Sequence, residues 1–143
     1  MAEALDAPDS TNPLASGRYT LFDEIASGGM ATVHLGALVA QAGFSRAVAI
    51  KRLHAQYAKD PEFVSGFLDE ARLASRIRHP NVVTTLDVVA SQGELLLVME
   101  YVHGLSLARV FATAHERGER VPMPILIAIV TGALFGLHAA HEA

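Results

Sequence analysis

Lys51 closes the apolar run Ala47-Val48-Ala49-Ile50-Lys51 and is one of only two lysines among 143 residues. A lysine ending a strand of this kind sits badly unless an anion meets its ammonium group, because leaving water costs a charge dearly. Upstream stands a turn of small residues, Ala26-Ser27-Gly28-Gly29-Met30-Ala31, closed by Val33, and downstream a helix-patterned stretch carries Glu70. The fold must either bring these three features together or leave Lys51 snorkelling to solvent from a strand edge.

The surrounding pattern supplies the elements. Residues 18–25 alternate as a strand does, with Leu21 and Ile25 on one side and Phe22 on the other. The Gly28-Gly29 pair interrupts, and 32–39 resumes as a second strand, so the pair forms a hairpin with a glycine-rich turn. After a turn at Gly43, 46–53 reads as a third strand. Asp60 can cap a helix with Pro61 in its first turn, where no amide donor is needed. Phe63, Val64, Phe67, Leu68, Ala71, Ala74 and Ile77 then recur at the steps of one buried helix face. His79-Pro80-Asn81 ends that helix, since proline turns the preceding residue away from helical geometry. Two further strands, 82–90 and 94–102, flank Ser91-Gln92-Gly93. Helices at 106–116 and about 124–141 follow. Three strands, a helix, two strands and then helices describe an α+β unit leading into a helical one.

Composition narrows the function. The chain is 51% hydrophobic and 18% charged, unlike a disordered segment. A net charge of −4 with no basic block argues against nucleic acid as a main partner. The absence of cysteine removes disulfides and thiolate metal sites and suits a cytoplasmic location. Residues 1–17 are acidic and contain Pro8 and Pro13, which reads as a flexible leader and not as a signal peptide. The apolar run from Ile125 to Leu137 is shorter than the ~20 residues a bilayer requires, so a buried core helix is expected.

The turn and Lys51 carry the chemistry. Glycines let backbone amides approach phosphate oxygens unobstructed, although a lone glycine pair also serves as an ordinary turn. Glu70 is the natural partner for Lys51. Asp69 points about 100° away on a helix, so only one of the two can serve. With Phe67, Ala71 and Ala74 nearby, Glu70 falls at the margin of the buried face, where an unpaired carboxylate would cost several kcal/mol. A solvated Glu70 is the alternative. His138 and His141 stand three apart but have no third ligand for zinc, and His34, His54, His103 and His115 are scattered. Adjacent Asp69 and Glu70 cannot flank one substrate as acid and base.

Taken in order, Ile25-Ala26-Ser27-Gly28-Gly29-Met30-Ala31-Thr32-Val33, Val48-Ala49-Ile50-Lys51, Glu70-Ala71-Arg72, His79-Pro80-Asn81-Val82-Val83 and Met99-Glu100-Tyr101-Val102 resemble a bacterial serine/threonine protein kinase of the eukaryotic-like type. The resemblance implies a kinase N-lobe and hinge over 18–103, a five-stranded antiparallel sheet with one main helix, and the start of the helical C-lobe over 104–143. It implies ATP as the nucleotide, with Ala26, Ser27, Gly28, Gly29, Met30 and Ala31 over the phosphates and Val33 and Ala49 against the adenine. Lys51 would contact the α- and β-phosphates and pair with Glu70. Met99 would limit the depth of the adenine pocket, the Glu100 carbonyl and Val102 amide would meet the adenine edge, and Ser106 would reach the ribose.

Two departures stand out. Ala26 and Ala31 occupy places where the family usually has glycine. The family's catalytic aspartate, magnesium-binding residues and activation loop have no counterpart among these residues; Leu137-His138-Ala139-Ala140-His141-Glu142 resembles the helix end that leads into them. The expectation is a nucleotide-binding part of a kinase that is inactive alone, with magnesium ligands elsewhere and an apolar last helix that awaits the rest of the lobe or a partner. The acceptor would be a protein serine or threonine. Two other readings are a non-catalytic kinase-like module that binds nucleotide or protein, and an unrelated α+β domain with fortuitous motifs.

Overall fold

The computed structural model describes residues 12–13, 18–39, 43–91 and 93–143. Its sheet is built around β4 (Ser45–Leu53), which lies between β3 (Ala31–Val39) and β6 (Glu94–Glu100). Beyond β3 come β2 (Tyr19–Ser27) and the two-residue β1 (Asn12–Pro13), and beyond β6 lies β5 (Thr85–Ser91), every neighbouring pair antiparallel. The five expected strands are thus present. Asn12–Pro13, expected as part of a flexible leader, instead adds a sixth strand by pairing with Leu21 and Thr20. The remainder of the expected leader lies outside the described residues.

Alternation along the central strands serves two cores. Val48 and Ile50 of β4 join Leu96 and Val98 of β6, with Tyr19 and Leu21 of β2, in one fully apolar cluster. On the opposite face Leu53, Leu95 and Leu97 join Ala31 and two residues of α1 (Pro61–Arg76), Phe67 and Ala71. The unbroken buried run Leu95 to Val98 follows from this arrangement, since a strand covered on both faces need not alternate in polarity. Gly36 is required where the strands close up, because a Cβ there would stand 2.5 Å from Ile50 Cδ1 and 2.8 Å from the Thr20 carbonyl oxygen.

Side chains at the start of β2 reach β5 although three strands lie between them in the sheet. Tyr19 donates its hydroxyl to Asp87 Oδ2 at 2.8 Å, and Arg18 donates Nη2 to the same oxygen at 2.7 Å. Burial, then the Asp87 hydrogen bond and charge, push the Tyr19 phenol above its ordinary value, against the nearby Arg18 cation. Strand β2 is also irregular, with register shifts between Leu21 and Glu24 and between Glu24 and Ala26. Such bulges turn side chains to new faces, and Ile25, expected beside Leu21, is left largely exposed.

The chain divides into two compact units, Met1–Ala71 with Thr85–Tyr101, and Arg72–Thr84 with Val102–Ala143. In the second, Ser106 caps α2 (Leu107–Glu116) by accepting from the Arg109 amide at 3.2 Å, and Gly118 at φ 67° closes its far end. Helix α3 (Met123–His141) receives Asn81, whose Nδ2 donates to the Gly132 carbonyl at 2.7 Å. A Cβ on Gly136 would come within 2.8 Å of the Asn81 carbonyl oxygen, so a glycine lets that turn lie against the helix.

Two expectations change here. Val82, expected to open a strand, lies in the turn after α1, with its amide bonded to the His79 carbonyl. Its apolar side chain packs beside Gly136 and not in the sheet. Helix α3 has the extent expected, about 124–141, but not the burial expected of a core helix, Gly136 being its one buried residue. By length and composition alone it is long and apolar enough to cross a membrane.

Candidate functional site

Register places the predicted residues. In the β3–β4 ladder Val33 stands opposite Lys51, and Leu35 opposite Ala49. In the β4–β6 ladder Ala49 stands opposite Met99, and Lys51 opposite Leu97. Paired residues share a face, and so do residues two apart on one strand. Val33, Ala49, Lys51 and Met99 therefore lie on one side of the sheet, the side on which Leu53 and Leu97 receive α1. Glu100 is the last residue of β6, paired with Val48. Val102 and Ser106 belong to the second unit, where the Ser106 hydroxyl is engaged as a helix cap.

Lys51 Nζ donates to Glu70 Oε1 at 2.8 Å and lies 5.6 Å from the centre of the Phe67 ring. Helix geometry explains why Glu70 is the partner: Phe67 and Ala71 are the buried residues of α1, and Glu70 lies between them at the edge of that face. The side chains of Lys51 and Glu70 are 25% and 54% exposed. The pair is therefore solvated at one end, and the expected desolvation cost of an unpaired Glu70 is not what holds it. Position on the helix provides the partner, and the strength of a pair this exposed is modest.

The turn above Lys51 is narrow. The Gly28 amide donates to the Ala31 carbonyl at 2.9 Å, and a Cβ on Gly29 would meet nothing within 4 Å. Ala26 and Ser27 end β2, opposite Val33 and Thr32. Ala31 is buried in the core beneath α1, so the methyl that stands in place of a glycine is a packing group. Met30 is half exposed at the tip.

Beside the ion pair lies a cavity of about 360 Å³, lined by Met30, Ala31, Lys51, Leu53, Phe63, Gly66, Phe67 and Glu70 along with Glu62. Phe63 and Phe67 are expected from the sequence only as residues of the buried helix face, and Gly66 carries no sequence signal, although the spacing of all three from Glu70 puts them on its helix face. The histidines bring a correction. His34 and His54, expected to be scattered, both line a cavity of about 250 Å³ on the other face of the sheet, with Glu24, Thr32, Arg52 and Glu94. Arg52 and Glu94 pair across that cavity. Only the β2–β3–β4 register makes this grouping, and no spacing along the chain signals it. Among the described residues no group of three or more His, Cys, Asp or Glu could hold a metal ion.

A family model described as protein tyrosine and serine/threonine kinase matches residues 19–137. The chain is 37% identical over 126 residues to the tyrosine-protein kinase MasK of Myxococcus xanthus, covering 88% of this chain and 20% of that protein. It is 36% identical over 137 residues to the serine/threonine-protein kinase PknB of Mycobacterium leprae, covering 93% of this chain and 21% of that protein. The crystal structure of the Mycobacterium tuberculosis PknI kinase domain aligns with a TM-score of 0.69 at 29% identity, over 95% of this chain and 52% of that one. The chain thus spans about half of that kinase domain and about a fifth of those two curated relatives.

Proposed function

Because the chain belongs to the protein tyrosine and serine/threonine kinase family, we propose that it is the ATP-binding part of a serine/threonine protein kinase. The observation that carries this reading is the Lys51–Glu70 pair at 2.8 Å, on the sheet face that also bears Val33, Ala49 and Met99. The residues fit a nucleotide. Lys51 offers an ammonium already oriented by a carboxylate, with two donors left for phosphate oxygens. The turn presents its backbone at Gly29 without side-chain obstruction, the Gly28 amide being held by the Ala31 carbonyl, and Val33, Ala49 and Met99 offer an apolar surface to a base. The Glu100 carbonyl, at the end of β6, would meet the base edge.

In this family's chemistry the nucleotide supplies the γ-phosphoryl group, and catalysis is mostly positioning and charge neutralisation. This chain's residues hold and orient: Lys51 and the turn amides neutralise phosphate charge, and Glu70 fixes the lysine. The aspartate that orients the acceptor and the magnesium ligands would come from the part of a kinase domain that this chain does not span. The match through residue 137 supports α3 as a helix of that domain and not a membrane span. Its exposed Ile127, Leu134 and Phe135 would be covered by the remainder of the helical lobe. A protein acceptor and a cytoplasmic location belong to the same proposal.

Transfer from radiolabelled Mg-ATP by the full-length protein tests this, with analysis of the phosphoamino acids formed. Label on serine or threonine that disappears in Lys51→Met supports the proposal. Label on tyrosine alone would overturn the assignment of acceptor, and transfer that survives Lys51→Met would overturn the site.

A further inference from the structure

We infer that His54 is a positioning residue that holds the glycine-rich turn in register with Lys51; the inference rests on the nucleotide reading above and deepens it. The turn has two arms of unequal regularity. Its β2 arm carries two register shifts before reaching Ser27. Its β3 arm runs opposite β4 without a break, from Val39 against Ser45 to Ala31 against Leu53. The position of the turn over Lys51 is therefore set from the β4 side.

His54 stands immediately past the last rung of that ladder and extends it twice. Its amide donates to the Met30 carbonyl at 2.9 Å, at the tip of the turn. Its ring Nε2 lies 2.8 Å from Thr32 Oγ1, and Thr32 Oγ1 lies 3.5 Å from Ser27 Oγ on the other arm. One side chain thus bridges the strand of Lys51 to the neck of the turn. The ring also stacks on Tyr57 at 6.3 Å between centroids, and Tyr57 packs on Phe63 of α1 at 4.6 Å. This histidine joins the turn to the lysine strand directly, and to the helix bearing Glu70 through Tyr57.

Backbone amides bind phosphate well only when they are held in place beforehand, because ordering a loop at the moment of binding subtracts from affinity. His54 supplies that ordering through a hydrogen bond at Nε2, which either neutral tautomer can make. A side chain that places a polar nitrogen at the same reach substitutes for it. Glutamine does so, whereas the shorter asparagine does not.

Calorimetric titration of the full-length protein with ATP and with adenosine tests the role. His54→Ala and Thr32→Val should each weaken ATP about fivefold, the fold-change of one ordinary net hydrogen bond. The double variant should be no weaker than either single one, since both break the same bond. His54→Gln should restore most of the affinity, His54→Asn should not, and adenosine, which lacks phosphates, should bind all variants alike. A residue that only stabilised the fold would lower the melting temperature and leave the ATP-to-adenosine ratio unchanged, which would overturn the inference. Lys51→Met separates the two readings. If it abolishes ATP binding while His54→Ala and Thr32→Val leave affinity intact, His54 has no positioning role; if it leaves ATP binding intact, the nucleotide site itself is misassigned and the role of His54 falls with it.

Discussion

Replacing Glu70 with glutamine separates the stability of the Lys51–Glu70 pair from its use. Glutamine keeps the shape and a hydrogen-bonding oxygen but removes the charge. With the Glu70 side chain 54% exposed and that of Lys51 25% exposed, water screens the pair. Pairs of this kind contribute about 0–1 kcal/mol. The Phe67 ring, 5.6 Å from Nζ, remains beneath the ammonium. Glu70→Gln should therefore destabilise the fold by less than about 1 kcal/mol, no more than about 4 °C in melting temperature for a domain of this size. Nucleotide binding should respond more. Lys51 would then be ordered only as phosphate binds, which costs about 0.5–1.5 kcal/mol for a long side chain, or roughly a two- to tenfold loss of affinity. Urea unfolding and ATP titration on the same preparation check both numbers. A loss of about 3 kcal/mol or more, the range for breaking a buried pair, would refute the solvated geometry, and unchanged or tighter ATP binding would refute the orienting role.

Other perturbations follow from the same structure. Gly36→Ala forces a methyl to within 2.5 Å of Ile50 Cδ1 and 2.8 Å of a backbone oxygen, so a loss of about 1–3 kcal/mol in urea unfolding is expected. Tyr19→Phe removes the hydroxyl bond to Asp87 and should cost about 1 kcal/mol at neutral pH. Because the folded phenol sits above its ordinary value of 10.0, the unfolded chain ionises first. Wild-type stability should then fall as pH rises from 10 through the folded value, and the phenylalanine variant should lack that fall. Ser106→Ala loses the cap to Arg109 and should lower stability by about 1 kcal/mol, read by hydrogen exchange in α2.

Much of this was legible in the chain because it rested on periodicities that tertiary structure leaves intact. Phe67 and Ala71 fix the buried face of α1, and that face puts Glu70 at its edge. Alternation through Ala49, Lys51 and Leu53 puts Lys51 on the sheet side that receives the helix. What stayed hidden depends on register between strands. The bulges in β2 turn Ile25 outward, a change no count along residues 18–25 reveals. His34, His54 and Thr32 line one cavity only because β3 lies against β4 in one particular alignment. Val82 reads as strand because packing against a helix glycine and packing in a sheet ask for the same apolar side chain. Helix α3 is apolar nearly all round, and such a pattern says that a helix will be covered without saying by what.

The most direct test of the central claim uses an ATP derivative whose activated acyl phosphate acylates lysines near bound phosphates. The chain has just two lysines, Lys51 and Lys59, so mass spectrometry of the labelled full-length protein compares the site residue with one neighbouring lysine on the same segment. Acylation of Lys51 but not Lys59, suppressed by excess ATP, is the result expected if the turn and Lys51 form the phosphate site. Equal labelling of both lysines, or labelling of Lys51 that ATP does not suppress, would contradict it.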